Sequence, residues 1–102
     1  MTGSKARIRA RQNKAPPSRH TRCFVYVLGS RRDNDCRTYV GWTTELDRRL
    51  AQHNAGRGAK STRGRNWVLL YSECCKTPSA AMSREWHIKH DRKFRTTLRA
   101  AL

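Results

Sequence analysis

Acidic side chains are scarce in this chain, which has seven Asp and Glu residues against 23 Lys and Arg residues among 102 positions. The formal net charge is +16 at pH 7 with histidines neutral. A basic excess of this size is typical of proteins that bind DNA or RNA and, less often, an anionic membrane. The plainest alternative is a solvated cationic surface with no specific partner.

Long apolar runs are also missing. No stretch approaches the roughly 18 residues of a membrane-spanning helix, and the first residues lack the apolar centre of a secretory signal. We therefore expect a cytoplasmic protein, associated with the nucleoid if its source is bacterial. Residues 1–22 are Arg-rich and acid-free, which weakly resembles a transit peptide, but their two prolines and scarcity of apolar residues favour a flexible basic arm. Residues 23–102 are then one small domain.

The cysteines do not match the spacing of a familiar metal-binding motif. They are Cys23, Cys36, Cys74 and Cys75. No two of them form a C-x-x-C pair, and adjacent Cys74 and Cys75 would point to opposite faces of a strand. A zinc site that includes His87 or His90 is an alternative, but reduced thiols in a cytosolic protein are the preferred interpretation.

Three short runs predict β-strands: Cys23–Leu28, Arg37–Gly41 and Trp67–Tyr71. The first and third are apolar on both faces, which is typical of strands that are covered on both sides. The polar segment Gly29–Cys36 is predicted to be a loop. The first two strands are close enough in sequence to pair as an antiparallel hairpin.

The first helix is predicted to follow the second strand. Thr44 can serve as its N-cap, with Asp47 three residues later, and Gly56 can close its C-terminus. One stripe of this helix consists of Leu46, Arg49, Leu50 and His53. Arg49 therefore lies beside the packed face, whereas neighbouring Arg48 points into solvent.

A basic loop follows the helix over Ala55–Arg65, and its glycines and cations suit the binding of phosphates. The cations that we expect to contact nucleic acid are Arg57, Lys60, Arg63 and Arg65. Two further helices are predicted after the third strand, one capped by Thr77 and one over residues 91–102.

Glu85 shares a face of the second helix with Ala81 and Ile88. A carboxylate on a buried side costs free energy unless it is paired or binds a metal ion. The pattern by itself favours an ion pair with Arg49. The alternative is a ligand for a divalent cation such as Mg²⁺, with Arg49 free to hold a phosphate through its planar guanidinium.

Tyr26 and Tyr39 lie in the first two predicted strands. Tyrosines in strands are more often structural than catalytic. A tyrosine acts as a general base only if nearby positive charge lowers its pKa from about 10, and this chain supplies such charge. His53, on the same stripe as Arg49, is placed to relay a proton or contact phosphate, or simply to pack against the sheet.

These residues together resemble the GIY-YIG nuclease superfamily. The matching segments are Val25-Tyr26, Tyr39-Val40-Gly41, Leu46–Asn54, Gly58–Arg65 with Trp67, and Glu85–Lys89. They correspond in order to the two halves of the motif, the arginine helix, the loop before the third strand, and the glutamate segment. The loop is similar to that of the small single-domain branch near the nuclease domain of Slx-type structure-specific endonucleases.

The resemblance implies an α+β fold, with a small three-stranded antiparallel sheet flanked by helices. It also implies DNA phosphodiester hydrolysis that depends on a single Mg²⁺ or Mn²⁺ ion. By this resemblance, Tyr26 and Tyr39 position or deprotonate the attacking water, and Arg49 stabilises the charge that develops on the phosphate. Glu85 holds the metal ion, and His53 occupies a position that often carries a site residue.

The chain departs from the family pattern at Phe24 and Val25, which stand where the first motif has Gly and Ile. Neither a zinc-finger module nor a DNA-recognition domain is visible after the nuclease-like part. We therefore expect recognition of the DNA backbone or of branched or nicked structure, with any further specificity supplied by a protein partner. The alternatives are a non-catalytic nucleic-acid-binding module on the same fold and a basic RNA-associated protein whose tyrosines are structural.

Overall fold

The computed structural model describes residues 22–102 and shows a three-stranded antiparallel sheet with three α-helices, so the predicted fold class is confirmed. The strands are β1 (Cys23–Arg32), β2 (Asp35–Thr43) and β3 (Val68–Cys75), and the helices are α1 (Leu46–Asn54), α2 (Pro78–Lys89) and α3 (Arg92–Arg99), with a 3₁₀ turn at Lys60–Thr62. The strand order is β2-β1-β3, which makes β1 the central strand. The basic arm predicted over residues 1–22 lies outside the described residues, apart from Arg22.

The β1–β2 hairpin is longer than the sequence predicted. Its ladder extends to the pair Arg32 and Asp35, so that only Asp33 and Asn34 form the turn. Asp33 has φ 56°, in the left-handed region that tight hairpin turns use. The expectation of a polar loop over Gly29–Cys36 was wrong because backbone pairing continues past the apolar part of each strand.

Apolar side chains cover both faces of the sheet, and alternate residues of β1 contribute to each. The face under α2 and α3 holds Cys23, Val25, Val27, Val40, Cys75, Ala81 and Ile88. The other face holds Tyr26, Leu28 and Trp67, with Tyr39, Leu46 and Leu50 packed against them. Tyr26 and Tyr39 therefore share the face that α1 covers.

Only the N-terminal end of α1 differs from the prediction. The N-cap is Glu45, not Thr44, and no side chain caps the helix there. The hydroxyl of Thr43 instead accepts the Glu45 N–H at 3.1 Å. At the other end, Gly56 has φ +78° just beyond the helix, as its predicted role in closing α1 requires.

The third strand begins and ends later than the predicted segment Trp67–Tyr71. It lies at an edge of the sheet, and Val68 and Leu69 are 53% and 40% exposed, so the expectation of two covered faces was wrong there. Cys74 is exposed and Cys75 is buried, which confirms that they point to opposite faces. All four cysteines are free thiols.

The two C-terminal helices agree with their sequence signals. The Thr77 hydroxyl accepts the Ala80 N–H at 3.0 Å, with Pro78 as the first residue of α2. Asp91 caps α3 in the same way through the Phe94 N–H at 3.0 Å. Across residues 22–102, none of the helices combines the length and the apolar character needed to cross a membrane.

Candidate active site

Tyr26 is buried at the centre of the sheet, with 1% of its surface exposed, and its ring lies across β2. Its partner in the ladder is Gly41. A Cβ atom at position 41 would lie 2.6 Å from the Tyr26 hydroxyl and 3.1 Å from the Tyr39 ring. The glycine after Tyr39-Val40 is therefore required because two tyrosine side chains pass over its backbone.

A chain of hydrogen bonds starts at the Tyr26 hydroxyl. The oxygen of this hydroxyl lies 2.9 Å from Nε2 of His53. The other ring nitrogen of His53, Nδ1, lies 2.9 Å from the Thr62 hydroxyl. Thr62 donates its only hydroxyl proton to the Ala59 carbonyl at 2.7 Å, so its oxygen must accept the proton on His53 Nδ1. Nε2 of neutral His53 is then an acceptor, and Tyr26 donates to it.

The charge states of this pair follow from burial. Burial, as the largest effect, raises the pKa of the Tyr26 phenol, and the positive charge of Arg49 only partly offsets this. Burial first, and the charge of Arg49 second, lower the pKa of His53, so its imidazole is neutral near pH 7. The expectation that cationic surroundings lower the pKa of Tyr26 was wrong because desolvation outweighs them.

Tyr39 is the more accessible of the two tyrosines. It is half-buried, and its ring centroid lies 4.8 Å from that of His53 and 6.3 Å from that of Tyr26. No residue of 22–102 forms a hydrogen bond with its hydroxyl. Tyr39 can therefore offer both a donor and an acceptor to a water molecule or a substrate oxygen.

Arg48 and Arg49 differ as the helical pattern predicted. Arg49 is half-buried, and its Nη1 donates to Oε1 of Gln52 at 3.0 Å. The Arg48 side chain is 69% exposed and lies 3.5 Å from the Glu45 carboxylate. Both arginines line a shallow groove with Thr43, but Arg49 is the one whose charge influences Tyr26 and His53.

Glu85 has a side chain that is 23% exposed, and its carboxylate lies 3.8 Å from the Lys89 ammonium one turn later. Its negative charge makes a small contribution to the raised pKa of Tyr26, after burial and the effects of Arg49 and Tyr39. The ion pair expected between Glu85 and Arg49 was wrong: among residues 22–102, no salt bridge joins them. They lie on different helices, α1 and α2.

The surroundings of Glu85 fit a divalent cation of the magnesium type. Within the described part of the chain, no three His, Cys, Asp or Glu side chains gather as a metal cage, so a zinc centre with His87 or His90 is not formed there. Mg²⁺ commonly binds through one or two carboxylates and completes its shell with water and phosphate oxygens. A half-buried glutamate with one loose lysine contact can supply such a carboxylate.

The loop cations separate into two groups. Arg57, Lys60 and Arg63 are exposed. Arg65 is not, because its side chain is 6% exposed and its guanidinium bonds to Asp35 and to Ser30. The Asp35 Oδ2 contact measures 2.8 Å, and Arg65 is the main cause of the lowered pKa of that carboxyl. We therefore leave Arg65 out of the proposed phosphate contacts.

Thr62 is the site residue that the sequence analysis missed. It is fully buried, it fixes the proton on His53, and its carbonyl accepts the indole N–H of Trp67 at 2.7 Å. Gly58 packs so closely on the His53 ring that a Cβ there would overlap it. A threonine within a basic loop carries no periodic signal, and only the folded loop brings it under the histidine.

The model of the GIY-YIG catalytic domain matches residues 22–98. A UPF0213 protein of Haloquadratum walsbyi is 49% identical over 67 residues, which cover 65% of this chain and 72% of the relative. A UPF0213 protein of Staphylococcus haemolyticus is 45% identical over 67 residues, which cover 65% of this chain and 78% of the relative.

One solved structure is also similar, the solution NMR structure of a UPF0213 protein from Bacillus halodurans. It is 34% identical, and the match covers 78% of this chain and 84% of that one, with a TM-score of 0.43.

Proposed function

Since the chain belongs to the GIY-YIG family, we propose that it is an endonuclease that hydrolyses phosphodiester bonds of DNA with the help of one divalent metal ion. The observation that carries the proposal is the hydrogen-bond chain from Tyr26 through His53 to Thr62, next to the open hydroxyl of Tyr39. A tyrosine with only a structural role needs some hydrogen-bond partner for its hydroxyl. It does not need that partner to be a neutral, oriented base such as His53, whereas proton transfer does.

Hydrolysis requires a group that takes a proton from the attacking water. Tyr39 is the hydroxyl that orients this water, because it is accessible and unbonded among residues 22–102. Tyr26 accepts the proton of the water as its own proton moves to Nε2 of His53, so that His53 is the final proton acceptor and becomes an imidazolium. A phenol with a raised pKa is a poor base in isolation, but it holds no net charge at any stage of this concerted transfer.

Charge that develops on the phosphate needs fixed cations. Arg49 supplies one from the groove on α1, because its guanidinium is already held by Gln52 and does not need to reorganise. Glu85 would hold Mg²⁺ or Mn²⁺, which when bound supplies a Lewis acid for the phosphate and leaving oxygens.

We infer that DNA is recognised through its backbone. Arg57, Lys60 and Arg63 are exposed on the loop that also carries Thr62, and this exposure supports phosphate contacts near the histidine. The resemblance of residues 58–65 to Slx-type nucleases stays a prediction. Two further proposals depend on this resemblance. They are a preference for branched or nicked DNA and a role in DNA repair, recombination or processing.

The test compares two glutamates whose side chains are equally exposed, at 23%. Glu85→Gln removes the proposed metal ligand, and we expect nicking of plasmid DNA in Mg²⁺ to fall to background while the melting temperature changes little. Glu73→Gln is the control, because the Glu73 carboxylate is held by Arg84 at 2.6 and 3.0 Å and by Tyr71 at 2.6 Å.

Glu73→Gln should lower the melting temperature and leave nicking largely intact below that temperature. DNA binding in EDTA should persist in both variants, since the phosphate-directed cations remain. A stable Glu85→Gln protein that binds DNA and nicks it at the wild-type rate would contradict the proposed mechanism. Absence of any metal-dependent nicking by the wild-type protein would favour the non-catalytic binding module.

A further inference from the structure

A second cationic feature lies on the other face of the sheet, between β2 and α3. It is a cleft of about 100 Å³, lined by Thr38, Arg92, Arg95, Thr96 and Arg99. Thr38 and Tyr39 are successive residues of an edge strand, so their side chains point to opposite faces. The cleft is therefore separate from the tyrosine pair but only one residue away along β2.

No carboxylate neutralises this cleft. In residues 22–102, the acids that form salt bridges are Asp35, Glu45, Glu73 and Glu85, and none of them pairs with an arginine of α3. Asp91, the acid nearest in sequence, accepts the Phe94 N–H as the cap of α3. Residues 1–21 contain no Asp or Glu, so they cannot supply a carboxylate either.

Arg95 gives more specific evidence for a ligand than the positive charge of the cleft does. Its Nε is the one buried side-chain nitrogen or oxygen in residues 22–102 that lacks a hydrogen-bond partner. A buried N–H without an acceptor is costly, and on a charged group the cost is larger. Such a group in a native fold calls for a ligand, an ion or a water molecule that accepts the bond.

From this geometry we infer that the cleft binds a phosphate group, and that the phosphate belongs to the backbone of a nucleic-acid strand. Phosphate oxygens accept several charge-assisted hydrogen bonds at once, and guanidinium groups match their geometry. The threonine hydroxyls of Thr38 and Thr96 add neutral donors on two walls of the cleft.

The position of the cleft favours a strand over a free anion. A strand that crosses the edge of β2 would contact Tyr39 on one face and the arginines of α3 on the other. The cleft would then anchor the substrate away from the bond that is cut. This extends the proposed nuclease function, but the binding test below is carried out in EDTA and does not depend on cleavage.

Arg95→Gln and Arg99→Gln test the inference, with Lys93→Gln as the matched control. Lys93 is exposed on the same helix and carries the same charge, but it does not line the cleft. Affinity for a labelled DNA duplex is measured at several salt concentrations. Each cleft variant should reduce the log–log salt slope by about 0.9, the value for one lost phosphate contact. Lys93→Gln should leave the slope within error of wild type.

A second readout follows the Arg95 Nε–H resonance by NMR, with inorganic phosphate and the duplex added separately. The proposal expects a shift with the duplex at micromolar concentration and none with phosphate at that concentration. A shift with inorganic phosphate alone would overturn the assignment to a strand and make the cleft a small-anion site. No shift with either, together with equal slopes in Arg99→Gln and Lys93→Gln, would overturn the phosphate site itself. The Arg99 variant keeps this test valid if Arg95→Gln melts below the assay temperature.

Discussion

At the scale of single residues, Arg48 and Arg49 offer a clean comparison, because both line the same groove. Arg49→Ala should reduce the nicking rate by about 10²–10³, the usual loss for one charge contact made in the transition state. Arg48→Ala removes an exposed ion pair with Glu45, whose contribution to stability is at most about 1 kcal/mol. Single-turnover nicking at saturating DNA measures the difference. Equal losses in two folded variants would remove Arg49 from the proposed mechanism.

The lowered pKa of His53 leads to a prediction about how stability depends on pH. Its pKa in the folded protein is lowered from about 6.5, so the unfolded chain binds more protons below that pH. Stability is therefore complete above about pH 6.5 and declines as the pH falls towards the folded pKa, by at most about 1.4 kcal/mol per pH unit. The lowered pKa of Glu73 makes a separate contribution, which is lost only below about pH 4.5.

Thermal melting between pH 7 and pH 5 isolates the effect of His53. The wild-type protein and a His87→Gln variant, altered at an exposed histidine, should lose melting temperature over this range. A His53→Gln variant should lose much less. If its melting temperature falls as steeply as that of the wild type, another group is responsible.

The residues of the candidate site were accessible to sequence reasoning to different degrees. The separation of Arg48 from Arg49, and the side of α2 that Glu85 occupies, follow from helical geometry and agree with the structure. The raised pKa of Tyr26 did not follow, because it depends on how deeply the phenol is buried in the folded core, and burial outweighs the nearby positive charge. The Thr62 contact escaped prediction since it joins a loop to a helix nine residues earlier.

At the scale of elements, the loop before β3 is fastened by Arg65, which bonds to both strands of the β1–β2 hairpin near its turn. Arg65→Gln should therefore lower the melting temperature by about 10 °C, the effect of losing several hydrogen bonds in a domain of this size. Arg63→Gln, on the exposed side of the same loop, should leave the melting temperature unchanged and weaken DNA binding. Calorimetry and a binding titration on the two variants check this. Matching melting temperatures would mean that the guanidinium contacts of Arg65 contribute little.

The elements themselves were predictable where local chemistry decides them. The cap at Thr77 and the glycine after α1 mark helix ends by their own hydrogen bonding and backbone freedom. The extent of β1 and β2 next to their turn and the limits of β3 were not, because a strand ends where its partner ends. Polar residues such as Arg31 and Glu73 join the ladder for that reason, although their composition favours a loop.

At the scale of the whole molecule, the basic residues are unevenly distributed. Removing residues 1–20 deletes six cations, Lys5, Arg7, Arg9, Arg11, Lys14 and Arg19. Affinity for duplex DNA should fall, and the log–log salt slope should decrease by about 0.9 for each of these cations that contacts a phosphate. Metal-dependent nicking should remain. An unchanged slope would show that this segment does not contact the backbone, and loss of cooperative melting would show that it belongs to the fold.

The central position of β1 has a consequence for how the site behaves over time. Tyr26 lies in the strand that is paired on both sides, with β2 and with β3. The amide protons of such a strand exchange with solvent mainly when the whole domain unfolds, whereas edge strands and loops open at lower free energy. The backbone position of Tyr26 therefore persists for as long as the native state itself. In the proposed complex with DNA, any adjustment between protein and DNA is expected from the exposed loop and from bending of the DNA, since the backbone of Tyr26 has no local way to open.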